Sequence, residues 1–321
     1  DDGYKAESLR ALGDQVFYVS FNGRSHSALM RSVAGQPAEK IRDINFGARL
    51  DVHKDKGILI TQPEVCRNAR IYYDIYRVDT DGDDYTRLTD CARYRQAVWS
   101  SKGDRIIAVH NELGINSLHI LDENAKLIEK IWSGDDGQQI GQMSYSPTED
   151  KIIASVWRKN QGWNLELFDL AKRAWTAVTD DKFIQSYPVF SADGQSVIYS
   201  ADYDGIYNVY QRQVADNTRS KLTNLLGGAF YPAYTSNGLF YLGYQPQGYD
   251  LFHITEPRVL ATSAKSAEPT QESSSMGELM PVAFKAKPET ETKDYSEPSL
   301  VAKEYSPWKS VTPSWWLPYF L

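Results

Sequence analysis

Apolar and polar residues alternate along this chain in short runs, and the runs recur in one order. Residues 99–109 (from Trp99), 145–155 (from Tyr145), 190–200 (from Phe190) and 234–244 (from Tyr234) share a layout of aromatic, Ser or Thr, polar turn and apolar run. The leading aromatics lie 46, 45 and 44 residues apart. Two weaker copies precede them, Val52 ahead of Gly57 and Leu9 ahead of Gln15. A period of 40 to 50 residues marks a repeat array, so six phase points predict six units. The Gly, Asp and Asn residues of the polar turns tolerate positive φ, as a hairpin between two strands requires. These two strands of each unit are termed A and B.

A third apolar alternation follows each B strand, at 28–32, 71–78, 117–121, 164–170, 207–212 and 251–254. Short D strands are predicted at 85–88, 175–178 and 219–222. Four strands per repeat is the blade of a propeller. Helical spacing is nowhere sustained for ten residues. The expected fold is therefore all-β, a propeller of about six four-stranded blades over residues 1–256. The sixth repeat lacks a D strand because Glu256-Pro257 interrupts it. Residues 4–10, or a segment outside the chain, are expected to complete the ring. Residues 257–303, rich in Ser, Glu, Pro and Lys, predict a disordered linker, and 304–321 form a short aromatic tail.

The 321 residues carry a net charge of −7, with 21 Tyr and 8 Trp. The mean hydropathy is −0.50. Rings suit pleated surfaces, in keeping with a strand-rich fold. The acidic balance, with no Lys/Arg cluster, argues against a nucleic-acid partner. Two cysteines are too few for a disulfide framework and lack zinc-site spacing. Cys66 falls in a B to C loop and Cys91 in the D to A loop of the same repeat, so either a disulfide or two free thiols fits the topology.

The unit of aromatic-Ser, Gly/Asp turn and apolar strand with a closing Leu-Thr resembles the WD40-like repeat of TolB-type propellers. The residues that carry the resemblance are Trp99-Ser100, Tyr145-Ser146-Pro147, Phe190-Ser191-Ala192-Asp193-Gly194, Leu88-Thr89 and Leu222-Thr223. Similar repeats form the propellers of prolyl-oligopeptidase-type enzymes. In the tail, Trp308, Trp315, Trp316 and their prolines resemble the segment joining such propellers to a BamA-type outer-membrane barrel. An aromatic burst of this kind suits a membrane interface; packing back onto the propeller is the alternative. The resemblance implies an exported, periplasmic or outer-membrane associated protein, the tail providing the membrane association. It also implies that the chain is a piece of a longer one.

No nucleophile elbow, zinc-protease helix, phosphate loop or dinucleotide fingerprint occurs, so no catalytic residue, metal or cofactor is assigned. The five histidines read as scattered singly. Asp79, Asp81, Asp83 and Asp90 only superficially resemble a calcium loop, because Asp84 and Asp90 stand where its Gly and Glu belong. In a propeller the B to C and D to A loops share one face, and loops carry function. That face holds Arg24, Arg93, Trp157, Arg158, Asp180, Asp181, Asp202, Tyr203 and Asp204, with Trp157 and Tyr203 as the expected aromatic anchors. A non-catalytic protein-binding or scaffolding module of the cell envelope is the leading expectation. A propeller gating a hydrolase or peptidase carried elsewhere in a longer chain is the alternative. A glycan-binding module using Trp157, Trp163 and Tyr203 is a third reading, which requires clustered exposed rings.

Overall fold

A computed structural model describes residues 5–263. The linker and the aromatic tail, with Trp308, Trp315 and Trp316, lie outside the described residues, apart from 257–263. All regular elements described are strands, arranged as six blades around an axis. Blade one comprises β1 (Lys5–Leu12), β2 (Gln15–Phe21), β3 (Ser27–Val33) and β4 (Glu39–Ile44). Blade two comprises β5 (Arg49–His53), β6 (Gly57–Cys66), β7 (Arg70–Val78) and β8 (Thr86–Arg87). Blade three comprises β9 (Tyr94–Trp99), β10 (Arg105–Glu112), β11 (Ile115–Asp122) and β12 (Leu127–Ser133). Blade four comprises β13 (Gln138–Tyr145), β14 (Lys151–Arg158), β15 (Gly162–Asp169) and β16 (Ala174–Ala177). Blade five comprises β17 (Gln185–Phe190), β18 (Ser196–Ala201), β19 (Asn208–Gln213) and β20 (Arg219–Lys221). Blade six has three, β21 (Ala229–Thr235), β22 (Gly238–Gln245) and β23 (Gly248–Ile254).

The repeated motifs have local causes. Ser100, Ser146 and Ser191 follow the aromatic that ends each A strand, and their amides donate to Arg105, Lys151 and Ser196 across the turn. The Gly103 and Gly194 amides donate back to Ser100 and Ser191, tightening the hairpin. Gly103 has φ 67°, and a Cβ there would stand 2.8 Å from the His53 ring of the preceding blade. Glycine at this turn thus serves conformation and blade packing together. The closing threonines latch D strands to C strands. The hydroxyls of Thr89, Thr179 and Thr223 accept from the amides of Ile75, Leu165 and Val209. They donate onward to Asp74, Gln185 and Asn208. Buried hydroxyls and carboxamides are satisfied in this way rather than left bare.

Apolar faces of adjacent blades meet in six clusters, one at each seam. Phe17, Ile44 and Ile58 fill the seam of blades one and two, and Leu59, Ile75 and Trp99 that of two and three. Val109, Ile152 and Phe168 fill the next, followed by Ile153 with Tyr199, then Ile198 with Leu239. Leu9, Val16 and Tyr18 of blade one pack on Phe240 and Leu242 of blade six. The ring therefore closes by packing of side chains. This corrects the expectation for residues 4–10: β1 pairs with β2 as the innermost strand of blade one and leaves blade six with three strands among the described residues. Residues 261–263, expected in the linker, instead form β24 (Ala261–Ser263), which pairs antiparallel with β20 as a fifth strand of blade five.

Candidate functional site

Antiparallel order within every blade puts the B to C and D to A loops on one end of the ring. Buried polar residues at the starts of C strands hold this loop face in shape. Asp74, fully buried, accepts from the amides of Cys91 and Ala92, both at 2.9 Å. It also accepts from Arg87, at 2.8 Å. Asn164 and Asn208 accept from amides of the next D to A loop, at Asp181 and Leu225, and Asn116 accepts from the Ile140 amide at the start of β13. A disulfide joins Cys66, at the end of β6, to Cys91. The loops are thus fastened from beneath, which leaves their outer side chains to face solvent.

Thirteen large apolar side chains are exposed among the described residues, and eight of them lie on this face. Val65 and Ile71 sit opposite one another at the tip of the β6–β7 hairpin, and Leu113 and Ile115 occupy the β10–β11 turn. Phe46, Ile184 and Leu226 stand in D to A loops, and Tyr244 ends β22. Leu113 and Leu226 are 92% and 93% exposed.

The polar residues selected from sequence fall on the same face, but most are engaged within it. Arg158 forms a two-pronged pair with Glu166 at 2.6 and 2.7 Å. Asp181 accepts from the Phe183 amide, Asp202 from the Ile184 amide, and Asp204 pairs with Lys221 at 2.5 Å. Arg93 donates to the Tyr72 hydroxyl at 2.9 Å and covers its ring. Hydrogen bonds from Arg70 and then Arg93 lower the Tyr72 pKa. Arg24 and Asp180 remain exposed. Tyr203 is a correction: it is 6% exposed, packed among Phe183, Tyr199 and Tyr210 with Arg219 over its ring, because the core of the seam claims it. Trp157 and Trp163 oppose one another on β14 and β15, while Tyr203 is buried in the adjacent blade, so the three rings form no single exposed cluster. The acidic loop works inside the fold, with Asp79 accepting from the Asp83 amide and Asp81 pairing with Arg31.

Sequence reasoning missed the axis. Five of the six A strands carry an extra residue where they face the centre, at 8–9, Arg95, 141–142, 187–188 and 231–232. Such bulges re-aim side chains. They bring Tyr187 and Tyr231 together with ring centroids 3.7 Å apart. Burial raises both tyrosine pKa values. Beside them a cavity of about 250 Å³ is lined by Lys5, Glu7, Arg10, Phe46, Arg49, Tyr73, Gln96, Gln142 and Tyr231, among others. Lys5, Arg49 and the 46–48 loop place its mouth on the loop face. Its floor is made by Arg10 and Gln96, which both reach Met143 O of blade four, at 3.0 and 3.2 Å. Arg10 also faces Asp51 at 3.5 Å. Burial lowers the pKa of this guanidinium and lifts that of Asp51 to about 6, against the pull of Arg10. Glu7 is the one carboxylate named in this lining, and no histidine belongs to it.

No family model and no curated protein matches the chain. Solved structures do. A puromycin hydrolase S511A mutant complexed with PGG aligns with TM-score 0.56 at 11% identity over 82% of this chain. The chain spans only 55% of that hydrolase. The putative TolB of Agrobacterium tumefaciens aligns with TM-score 0.55 at 13% identity, over 71% of this chain and 85% of that one. TolB of Acinetobacter baumannii aligns with TM-score 0.53 at 18% identity, over 79% and 66%. At these identities the likeness establishes architecture alone. With six seams, six repeated A–B hairpins and this likeness, the chain is a six-bladed β-propeller similar in architecture to the TolB structures.

Proposed function

We propose that this propeller is a non-catalytic module of the cell envelope that docks a protein partner on its loop face. The carrying observation is the placement of eight exposed apolar side chains on one end of an otherwise acidic ring. Exposed apolar side chains gathered on one face among polar residues are a feature of interaction sites. The anchored loops add preorganisation, which lowers the entropy cost of docking. The likeness to TolB structures supports an exported setting, as does a disulfide between Cys66 and Cys91.

Photo-crosslinking in the native host tests this reading. A crosslinkable residue at Leu113 or Leu226 is expected to trap one defined partner, whereas the same residue at Leu127 or Val214, away from the loop face, traps none. Trapping of that partner only at Leu127 or Val214 overturns the assignment. The likeness to a puromycin hydrolase favours a second reading, a propeller that gates a hydrolase domain carried elsewhere in a longer chain. That reading requires a catalytic domain in the coding sequence that flanks this chain.

A further inference from the structure

The axial cavity carries more cation than it balances. Lys5 pairs with Glu7 at 3.3 Å, and Arg10 pairs with Asp51 at 3.5 Å. Arg49, in the wall, has no ion pair among the described residues, and neither has Arg95, whose bulge places it beside Arg49 and Tyr73. Burial and the nearby Arg49 both lower the Arg95 pKa, so Arg95, although outside the cavity lining itself, stands close enough to the Arg49 of the wall for the two like charges to interact. Deeper in, Gln96 Oε1 is buried without a hydrogen bond to the protein, and Arg10 Nε has only its 3.5 Å ion pair with Asp51. Tyr73 and Gln142 supply further polar groups at the wall. On a chain of net charge −7 this cationic pocket stands out from the field around it.

We infer that the axial cavity is a carboxylate-binding site, in which Arg49 and Arg95 hold an acidic side chain or a free C-terminus of an extended peptide segment docked across the loop face. This rests on the docking role proposed above and names the chemistry at its centre. A planar guanidinium matches a carboxylate with two parallel hydrogen bonds. The cavity admits a side chain or a chain end and is too small for a folded domain. The apolar rim at Phe46 and Val65 then meets the flanking residues of the segment. A carboxylate entering the mouth offsets one of the two positive charges that Glu7 and Asp51, already paired, leave open.

Fluorescence polarisation with the intact protein tests the site directly. The probes are fluorescein-labelled Gly/Ser peptides of equal length: one capped with a central Glu-Asp-Glu, one capped with Gln-Asn-Gln, and one neutral but with a free C-terminus. The Glu-Asp-Glu probe or the free-C-terminus probe is expected to bind, and which of them binds identifies the source of the carboxylate. The capped Gln-Asn-Gln probe is not. R49Q/R95Q is expected to weaken the bound probe about tenfold or more. Raising the salt to about 0.5 M, where the screening length is only ~4 Å, is expected to weaken binding to the wild type far more than to R49Q/R95Q. The single variant R95Q, at an exposed position, keeps the test valid if the double variant does not fold. Equal binding of all probes, no binding of either acid probe, or undiminished binding by R49Q/R95Q overturns the inference. If R49Q/R95Q loses the acid probe while the partner crosslinked at Leu113 is still trapped, the cavity binds carboxylates independently of that partner, and the claim that it receives the partner's segment falls while the docking face stands. If crosslinking fails at Leu113 and Leu226 while the acid probe still binds, the docking face falls and the carboxylate site stands.

Discussion

His119 shows how much chemistry a single buried ring in this fold can hold. It stacks on His110 with centroids 4.9 Å apart. Its ring nitrogens lie 3.1 Å from the Tyr94 hydroxyl and 3.0 Å from Ser117 Oγ. Burial, aided by the His110 charge, pushes its pKa from 6.5 to about 4. The unfolded chain therefore binds a proton through pH 6.5 that the folded chain refuses until about pH 4, so stability falls as pH drops across that window. Asp51 works the other way, because its raised pKa makes the folded chain take up a proton near pH 6, ahead of the unfolded one. The difference between wild type and H119Q isolates the histidine. On acidification from pH 6.5 to 4 the wild type is expected to lose on the order of 1–2 kcal/mol more than H119Q in urea unfolding. Parallel curves would refute this. In sequence the five histidines read as unrelated. Only the register, in which His110 opposes Ser117 and Ala108 opposes His119, puts two of them face to face.

Among elements, the A strands and the β6–β7 hairpin set the working surface. The hairpin stands on the Cys66–Cys91 disulfide, which closes a loop of 25 residues. Replacing both cysteines in C66S/C91S is expected to cost roughly 2–4 kcal/mol of stability. It should also raise amide exchange at residues 66–70 and 89–93, and an unchanged unfolding midpoint would count against the bridge. The B to C and D to A topology that brings the cysteines to one face was legible, since it follows from strand order alone. The axial side chains were not, because an ordinary two-residue alternation sends the wrong residue inward past a bulge. A signal did exist. Tyr187-Pro188 and Tyr231-Pro232 recur 44 residues apart within strands, and a proline inside a strand marks an irregularity. Tyr203 failed in the opposite sense, since a loop aromatic looks like an anchor until the adjoining blade is seen to bury it.

For the whole molecule, the seam between blades one and six decides whether six blades make a ring. Phe240 is 2% exposed there, with its ring on His253 at 4.4 Å. F240A is expected to cost about 3–5 kcal/mol. Because no strand is exchanged across this seam among the described residues, amide exchange should rise in both blade one and blade six and stay unchanged in blades three and four. An effect confined to blade six would show that the seam does not couple the ends. The repeat made blade number and order legible. It did not reveal closure, which depends on surfaces 231 residues apart in the chain, such as Leu9 and Phe240, whose complementarity has no local signature. The same scale gives β24 its meaning. It runs antiparallel to β20, with Ser263 opposite Arg219, so the chain departs from the perimeter of blade five on the side of the A to B turns. β24 also covers the outer edge of blade five, occupying backbone groups of β20 that an open edge would offer to a strand of another chain.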